Sequence, residues 1–377
     1  MQNWLLPEYI HDMLPEETWR VERMRAQLLD LMRKCGYEQV APPLLEYAES
    51  LLIDGGDMDL RTFKLVDQLS GRTLALRADI TPQVARIDAH LLNRRGVTRL
   101  CYAGSVLHTQ PAGLNRTREL LQIGAELYGH AGLESDLEIL QLMTDALALL
   151  GVTGVHLDIG HVGVFRAIAR HANLGRDLED QLFAALQSKD ATTLKALTAT
   201  LDETCRSALL ALPTLYGQCD EVLARARREL PDLPLIGAAL ADLQHVTQRL
   251  RVDGIDLADL RGYHYHSGIV FAAYHAASHD AIVLGGRYDD LGKSFGRARA
   301  ATGFSMDLRQ LYRLLPVQTQ SHGIRAPFGD AAKAAIAQLR DAGEVVVVDL
   351  PGSGPDESGC DRELVLLDGV WRVVAIN

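Results

Sequence analysis

From about residue 163 to 250 the chain is rich in Leu and Ala and reads as helix, punctuated near Pro213, Pro231 and Pro234, while the segments on either side read as strands. Strands, then helices, then strands again leave few architectures. The expected fold is one discontinuous α+β domain built on an antiparallel sheet, with the helical stretch as an insertion. The length of 377 residues suffices for a sizeable core and one small further unit. With 38 Lys and Arg against 49 Asp and Glu the net charge is −11. That balance disfavours broad binding of nucleic acid or anionic membrane, which needs clustered positive charge.

The flanking regions carry sharper signals. Residues 16–35 predict an amphipathic helix with Val21, Met24, Leu28 and Met32 on one face and Gly36 as its stop. Pro42 and Pro43 force the following segment, Tyr37 to Glu46, into extended backbone. Leu74 and Leu76 alternate on a strand over 72–77 that leads into Asp79-Ile-Thr81-Pro82, and Pro82 starts a helix running to about Leu92. Residues 99–108 and 119–128 predict a strand pair joined by a loop over 109–115. Ser135 and Glu138 have capping-box spacing ahead of a stripe of Ile139, Leu142, Met143, Ala146 and Leu150. Strand character returns at 156–160, 269–273, 281–284 and 302–306. Residues 317–322 read as a linker, followed by a helix near 330–342 and strands at 345–348, 363–367 and 371–376.

Five cysteines at 35, 101, 205, 219 and 360 show no C-x-x-C, so neither a disulfide framework nor a structural zinc site is encoded, and reduced thiols are expected. The start Met-Gln-Asn-Trp-Leu-Leu-Pro lacks the basic and apolar runs of a signal peptide. The most apolar stretch, Leu140 to Val152, is broken by Thr144 and Asp145 and falls short of the roughly 18 residues of a membrane span. A cytoplasmic protein without membrane association is expected.

Three segments are dense in ligand-binding chemistry. Asp79, at a strand-to-helix turn, either caps the helix or meets a ligand amine. Gln122 and Glu126 are four apart, so on a strand they share a face, which is either solvated or a place where an amide and a carboxylate converge. Arg261-Gly-Tyr-His-Tyr-His-Ser267 reads as an aromatic and histidine-lined strand edge presenting Arg261 to a cleft. His264 and His266 would share a face there, but no carboxylate or Cys completes a metal-ligand spacing, and no metal site is expected. Gly285-Gly-Arg-Tyr-Asp289 either makes a tight turn or lets backbone approach a ligand.

In this order, the segments Leu-Arg77-Ala-Asp79-Ile-Thr81-Pro, Arg116-Thr-Arg118-Glu-Leu-Leu-Gln122-Ile-Gly-Ala-Glu126, Leu260-Arg261-Gly-Tyr-His-Tyr-His266 and Gly285-Gly286-Arg-Tyr-Asp289 resemble the class II histidyl-tRNA synthetase core. The resemblance covers residues 5–165 and 255–312. It implies a central six-stranded antiparallel sheet flanked by helices within a core over 1–320, a helical insertion at about 166–252, and a small C-terminal α/β segment over 323–377. It implies a dimer formed through the Pro-containing motif. It also implies a histidine pocket at Asp79, Thr81, Gln122, Glu126, Arg261, Gly262, Tyr265, His266, Gly285 and Gly286. Asp79 and His266 depart from the family's Glu and Tyr.

The nucleotide half departs further. Where the family has Phe-Arg-x-Glu this chain has Leu107-His108-Thr109-Gln110, and where its last motif places an Arg stands Gln310, with Arg309 one place early. A fixed triphosphate needs planar bidentate Arg contacts, and Gln110 removes an anionic ligand for Mg²⁺. The family's C-terminal tRNA-binding domain of about a hundred residues has no room here, so no tRNA is expected as partner.

A synthetase-like core with these losses is similar to one paralogous family, the regulatory subunits of ATP phosphoribosyltransferase. That resemblance implies a chain with no catalytic residues and no cofactor. It implies a partner, the short catalytic subunit, met as a dimer within a hetero-octamer, with histidine as effector in the first step of histidine biosynthesis. The alternative is a histidine-activating synthetase-like enzyme with displaced ATP contacts at Arg116, Arg118 or Arg309.

Overall fold

The computed structural model describes residues 4–52, 57–111, 117–262, 265–316, 323–352 and 359–376. The chain divides into two compact units, Met1–Leu315 and Pro316–Asn377.

In the first unit, strands β1 (Glu38–Gln39), β2 (Leu45–Tyr47), β3 (Lys64–Val66), β4 (Thr73–Leu76), β5 (Thr98–Leu107), β6 (Glu119–Tyr128) and β7 (Val155–His161) precede the helical insertion. Within and after it come β8 (Tyr216–Gly217), β9 (Gly254–Asp256), β10 (Ile269–His275), β11 (Val283–Arg287) and β12 (Ala301–Asp307). One sheet of nine strands runs β1-β5-β6-β12-β11-β10-β7-β9-β8. Its middle six, β5 to β7 in that order, are antiparallel throughout, as the resemblance implies. Short strands extend it at both edges, β1 and β9 by parallel pairing. A separate small sheet, β2-β4-β3, carries the Pro-containing segment.

Strand alternation gives the large sheet two unlike faces. On β6, Leu121, Ile123, Ala125 and Leu127 turn toward the helices, where Val21, Met24, Leu28 and Met32 of the Pro15–Lys34 helix join Ile139, Leu142, Met143 and Ala146 in one core. Gln122, Gly124, Glu126 and Tyr128 therefore turn to the other face. There, Leu100, Tyr102, Tyr128 and Tyr288 pack with Ile80 and Val84 in a second cluster.

Three local expectations are corrected. The capping box does not form: the helix Glu134–Leu149 starts one residue before Ser135. The Ser135 hydroxyl instead donates to the Gly132 carbonyl at 2.8 Å, while Glu138 is drawn off by Arg99 at 2.6 Å and Tyr37 at 2.9 Å. Gly285-Gly286-Arg287 is not a turn but the end of β11, because both glycines are laddered to β10 and β12. Arg261, Gly262 and Tyr265 lie in a turn rather than a strand edge, with the N–H groups of Tyr265 and His266 both bonded to the Gly262 carbonyl. The helix after Pro82 is α-helical over Thr81–Arg86 and widens to a π-helical turn over Ile87–Leu92.

The second unit is a four-stranded sheet, β14-β13-β15-β16, of β13 (Ile324–Ala326), β14 (Val346–Val348), β15 (Arg362–Leu367) and β16 (Val370–Ala375). Ile324, Ala326, Val346 and Leu364 pack with Ile336 of the helix Lys333–Asp341. The linker expected at 317–322 lies outside the described residues.

Candidate functional site

Glu126 is the centre of the site. It sits mid-strand on β6, opposite Leu100 on one side and Gly303 on the other, and is 1% exposed. One carboxylate oxygen accepts from the Thr81 hydroxyl at 3.1 Å and the Tyr102 hydroxyl at 3.0 Å. The other is in a short contact with the Tyr288 hydroxyl, which also reaches Tyr128 at 3.2 Å. Burial pushes the Glu126 carboxyl up to about 8, and the hydroxyl contacts offset only part of that penalty. Gly303 makes room for it: a Cβ there would stand 1.6 Å from the carboxylate.

Asp79, Thr81 and Gln122 meet one turn away. The Gln122 side chain accepts from the Ile80 N–H at 3.0 Å and donates to Asp79 at 2.8 Å, so both ends of the amide are used. The same Asp79 oxygen accepts the Thr81 N–H at 3.1 Å. Asp79 therefore closes a tight side-chain turn before the helix; the helix's N-cap position is Ile80, without a side-chain cap.

Gly262, Tyr265 and His266 supply the third wall. Gly262 has φ +66°, a conformation that favours glycine. His266 approaches the Arg261 carbonyl with Nδ1 at 3.1 Å, and since a carbonyl only accepts, that nitrogen carries the hydrogen. Its ring lies against the bare backbone of Gly286, where a Cβ would come within 2.8 Å. Burial pushes the imidazole down to about 4, so it stays neutral near pH 7. The Tyr265 ring stands edge-on to His266 at 5.3 Å and tilted against Tyr288 at 4.9 Å. Its hydroxyl is buried with no hydrogen-bond partner among the described residues.

Two expected members stand apart. Arg261 is engaged by Asp259, through Nε at 2.7 Å and through Nη2, and by the Tyr274 hydroxyl. Gly285 faces the helix-side core, where a Cβ would meet the Phe271 ring at 2.3 Å. His264 lies outside the described residues. Sequence reasoning missed Tyr102, Tyr128, Tyr288 and Gly303, which reach Glu126 only through long-range strand register; the alternation of the 99–108 strand places Tyr102 on a face but not opposite a given carboxylate.

On the nucleotide half, His108 is 4% exposed, with Nε2 2.9 Å from the Ala78 carbonyl and Nδ1 3.3 Å from Arg61. The guanidinium only donates and the carbonyl only accepts, so the neutral Nε2–H form fits both. Gln110 is exposed. Arg309 pairs with Glu119 at 3.3 Å, a residue in alternation with the helix-side Leu121 and Ile123. Gln310 donates to the Ser278 hydroxyl at 3.0 Å. Arg118 donates to the His108 carbonyl at 3.1 Å and lies over the Phe63 ring. Arg116 lies outside the described residues. Among the described residues no three His, Cys, Asp or Glu side chains are grouped to hold a metal ion, and no helix is long and apolar enough to cross a membrane. A cavity of about 620 Å³ opens elsewhere, between the first helix and β1, lined by Asp30, Arg33, Tyr37 and Cys101 among others.

Residues 9–311 match the histidyl-tRNA synthetase family model, and residues 321–374 match the model described as the ATP phosphoribosyltransferase subunit HisZ C-terminal domain. The chain is 59% identical over 380 residues to the ATP phosphoribosyltransferase regulatory subunit of Ralstonia nicotianae, covering 99% of this chain and 98% of the relative. It is 57% identical to the same-named protein of Paraburkholderia phymatum, covering 99% of each. Among solved structures, a regulatory subunit/histidyl-tRNA synthetase from Bacillus halodurans superposes with a TM-score of 0.82 at 27% identity, covering 94% of this chain and 95% of that one. A histidyl-tRNA synthetase from a Nostoc species gives 0.81 at 18% identity, covering 100% and 97%, and shows a shared fold.

Proposed function

The chain belongs to the family of ATP phosphoribosyltransferase regulatory subunits, and from that premise we propose that it binds histidine and governs a short catalytic subunit without catalysing a reaction itself. The observation that carries the reading is the unequal state of the two half-sites. The amino-acid half keeps a buried carboxylate ringed by hydroxyls. On the nucleotide half neutral His108 and Gln310 are engaged inside the protein. Charge-assisted bonds are worth roughly 1.5–3 kcal/mol each, so losing two arginine contacts removes several kcal/mol from any phosphoryl chemistry. Synthetase catalysis is accordingly lost in this reading.

The proposed ligand set is Asp79, Thr81, Gln122, Glu126, Tyr265, His266 and Gly286. The Glu126 carboxylate suits an α-ammonium group and the His266–Tyr265 wall suits an imidazole. Arg261 with Gly262, and Gly285 behind them, shape the turn and the strand rather than touch the ligand. Histidine then biases one arrangement of the complex by its differential affinity, typically 1–3 kcal/mol of coupling. The proposed assembly is a dimer through the Pro-containing motif within a hetero-octamer, in the cytoplasm, without tRNA. The test is turnover of the short catalytic subunit with and without this chain, at varied histidine. Full activity alone, or histidine inhibition indifferent to this chain, overturns the reading. Histidine-dependent exchange of pyrophosphate into ATP by the isolated chain would instead establish a synthetase.

A further inference from the structure

We propose that the Glu126 pocket is proton-linked: empty, it holds a proton on the Glu126 carboxyl, and an entering α-ammonium cation displaces that proton to solvent. The inference deepens, and rests on, the reading of this pocket as a histidine site. Two independent deficits of the structure carry it. Glu126 is buried with three hydroxyl contacts and, among the described residues, no ion pair. Across the aromatic wall, the Tyr265 hydroxyl is buried with no hydrogen-bond partner among the described residues. A buried carboxylate without a cation is costly, and so is an orphan phenol. One ligand bearing an ammonium group and a further polar atom meets both needs.

The groups facing Glu126 come from every side of the pocket. The turn before the Thr81 helix brings Asp79 and Thr81, β5 brings Tyr102, and β6 itself Tyr128. The segment after Gly262 brings Tyr265 and neutral His266, and the residue following β11 is Tyr288. The Asp79 carboxylate opposes a charge on Glu126, Asp88 acts likewise on Tyr128, and burial of all four phenols pushes their own protons on more firmly. The network also has a place for the proton. Tyr288 contacts both Glu126 and Tyr128, but its single O–H serves only one at a time. With Glu126 neutral, the carboxyl donates to Tyr288 and Tyr288 donates to Tyr128. With Glu126 ionised, Tyr288 turns its hydrogen to the carboxylate. The balance is an ammonium ion plus a carboxylic acid giving an ammonium–carboxylate pair and one free proton.

The experiment is calorimetry of the full chain at pH 7 in phosphate and in Tris, whose ionisation heats differ, with L-histidine and with imidazolepropionate, which lacks the amino group. Histidine is expected to release about one proton more than imidazolepropionate. Its affinity should tighten about tenfold from pH 6 to pH 7 beyond any change shown by the analogue, as one released proton requires. Glu126→Gln should remove the difference in proton release. Equal proton release by the two ligands, or histidine binding without release, overturns the linkage and leaves the pocket reading standing. No binding of histidine in either buffer removes both.

Discussion

The two half-sites belong to one sheet yet solve their electrostatics in opposite ways. On the nucleotide side His108 and Gln310 have found partners within the protein: His108 lies between Arg61 and the Ala78 carbonyl, and Gln310 bonds the Ser278 hydroxyl. Arg309, one place early, is folded onto Glu119. On the amino-acid side the groups are assembled but left short: among the described residues, a carboxyl without a cation and a phenol without a partner. A region that has satisfied itself is architecture; one held in deficit is waiting for a ligand. On the proposed reading, that contrast is what separates a sensor from an enzyme within one fold.

The harshest way to break the comparison is Gly303→Ala, which drives a methyl into the Glu126 carboxylate. Overpacking of this kind costs about 1–3 kcal/mol, and histidine binding should vanish in calorimetry while circular dichroism still reports a folded chain. Glu126→Gln keeps the shape but not the charge, and histidine affinity should fall about a hundredfold, close to 3 kcal/mol for one charge-assisted contact. The same variant sharpens the comparison through pH. Because the fold raises the Glu126 carboxyl from its ordinary 4.5 to about 8, the folded state holds an extra proton between those values. Stability is therefore lost as pH rises through that window and levels off above it. Between pH 7 and 8 denaturation should show the unsubstituted chain losing about 1 kcal/mol, roughly 2 °C, relative to Glu126→Gln. His266, neutral in the fold down to about 4, acts the other way and lowers stability as pH falls below 6.5. The smallest effect belongs to the other half: His108→Arg should change histidine affinity less than twofold and leave pyrophosphate exchange at background.

Much of this was legible before any coordinates. The stripe Val21, Met24, Leu28, Met32 and the alternation of β6 are local periodicities, and both place their residues as expected. The bond between Asp79 and Gln122 joins two segments that each read as rich in ligand chemistry, but only the resemblance put them in one pocket. What escaped depends on partners far away in sequence. Ser135 and Glu138 have capping spacing, yet Arg99 and Tyr37 outbid the helix end for Glu138. Two consecutive glycines suggest a turn until the ladder on both sides is known. Arg261 looked free to meet a carboxylate because Asp259, only two residues back, turns onto it only when the chain bends there.

The ends of the large sheet have a consequence for assembly. It begins in β1 and finishes in β8, each of two residues, beyond ten-residue and seven-residue inner strands. A two-residue edge strand offers little unpaired backbone of its own as a template for a foreign strand, which is one way sheets blunt their edges. Contacts made there by side-chain surfaces can then be selective, where backbone pairing would accept any sequence.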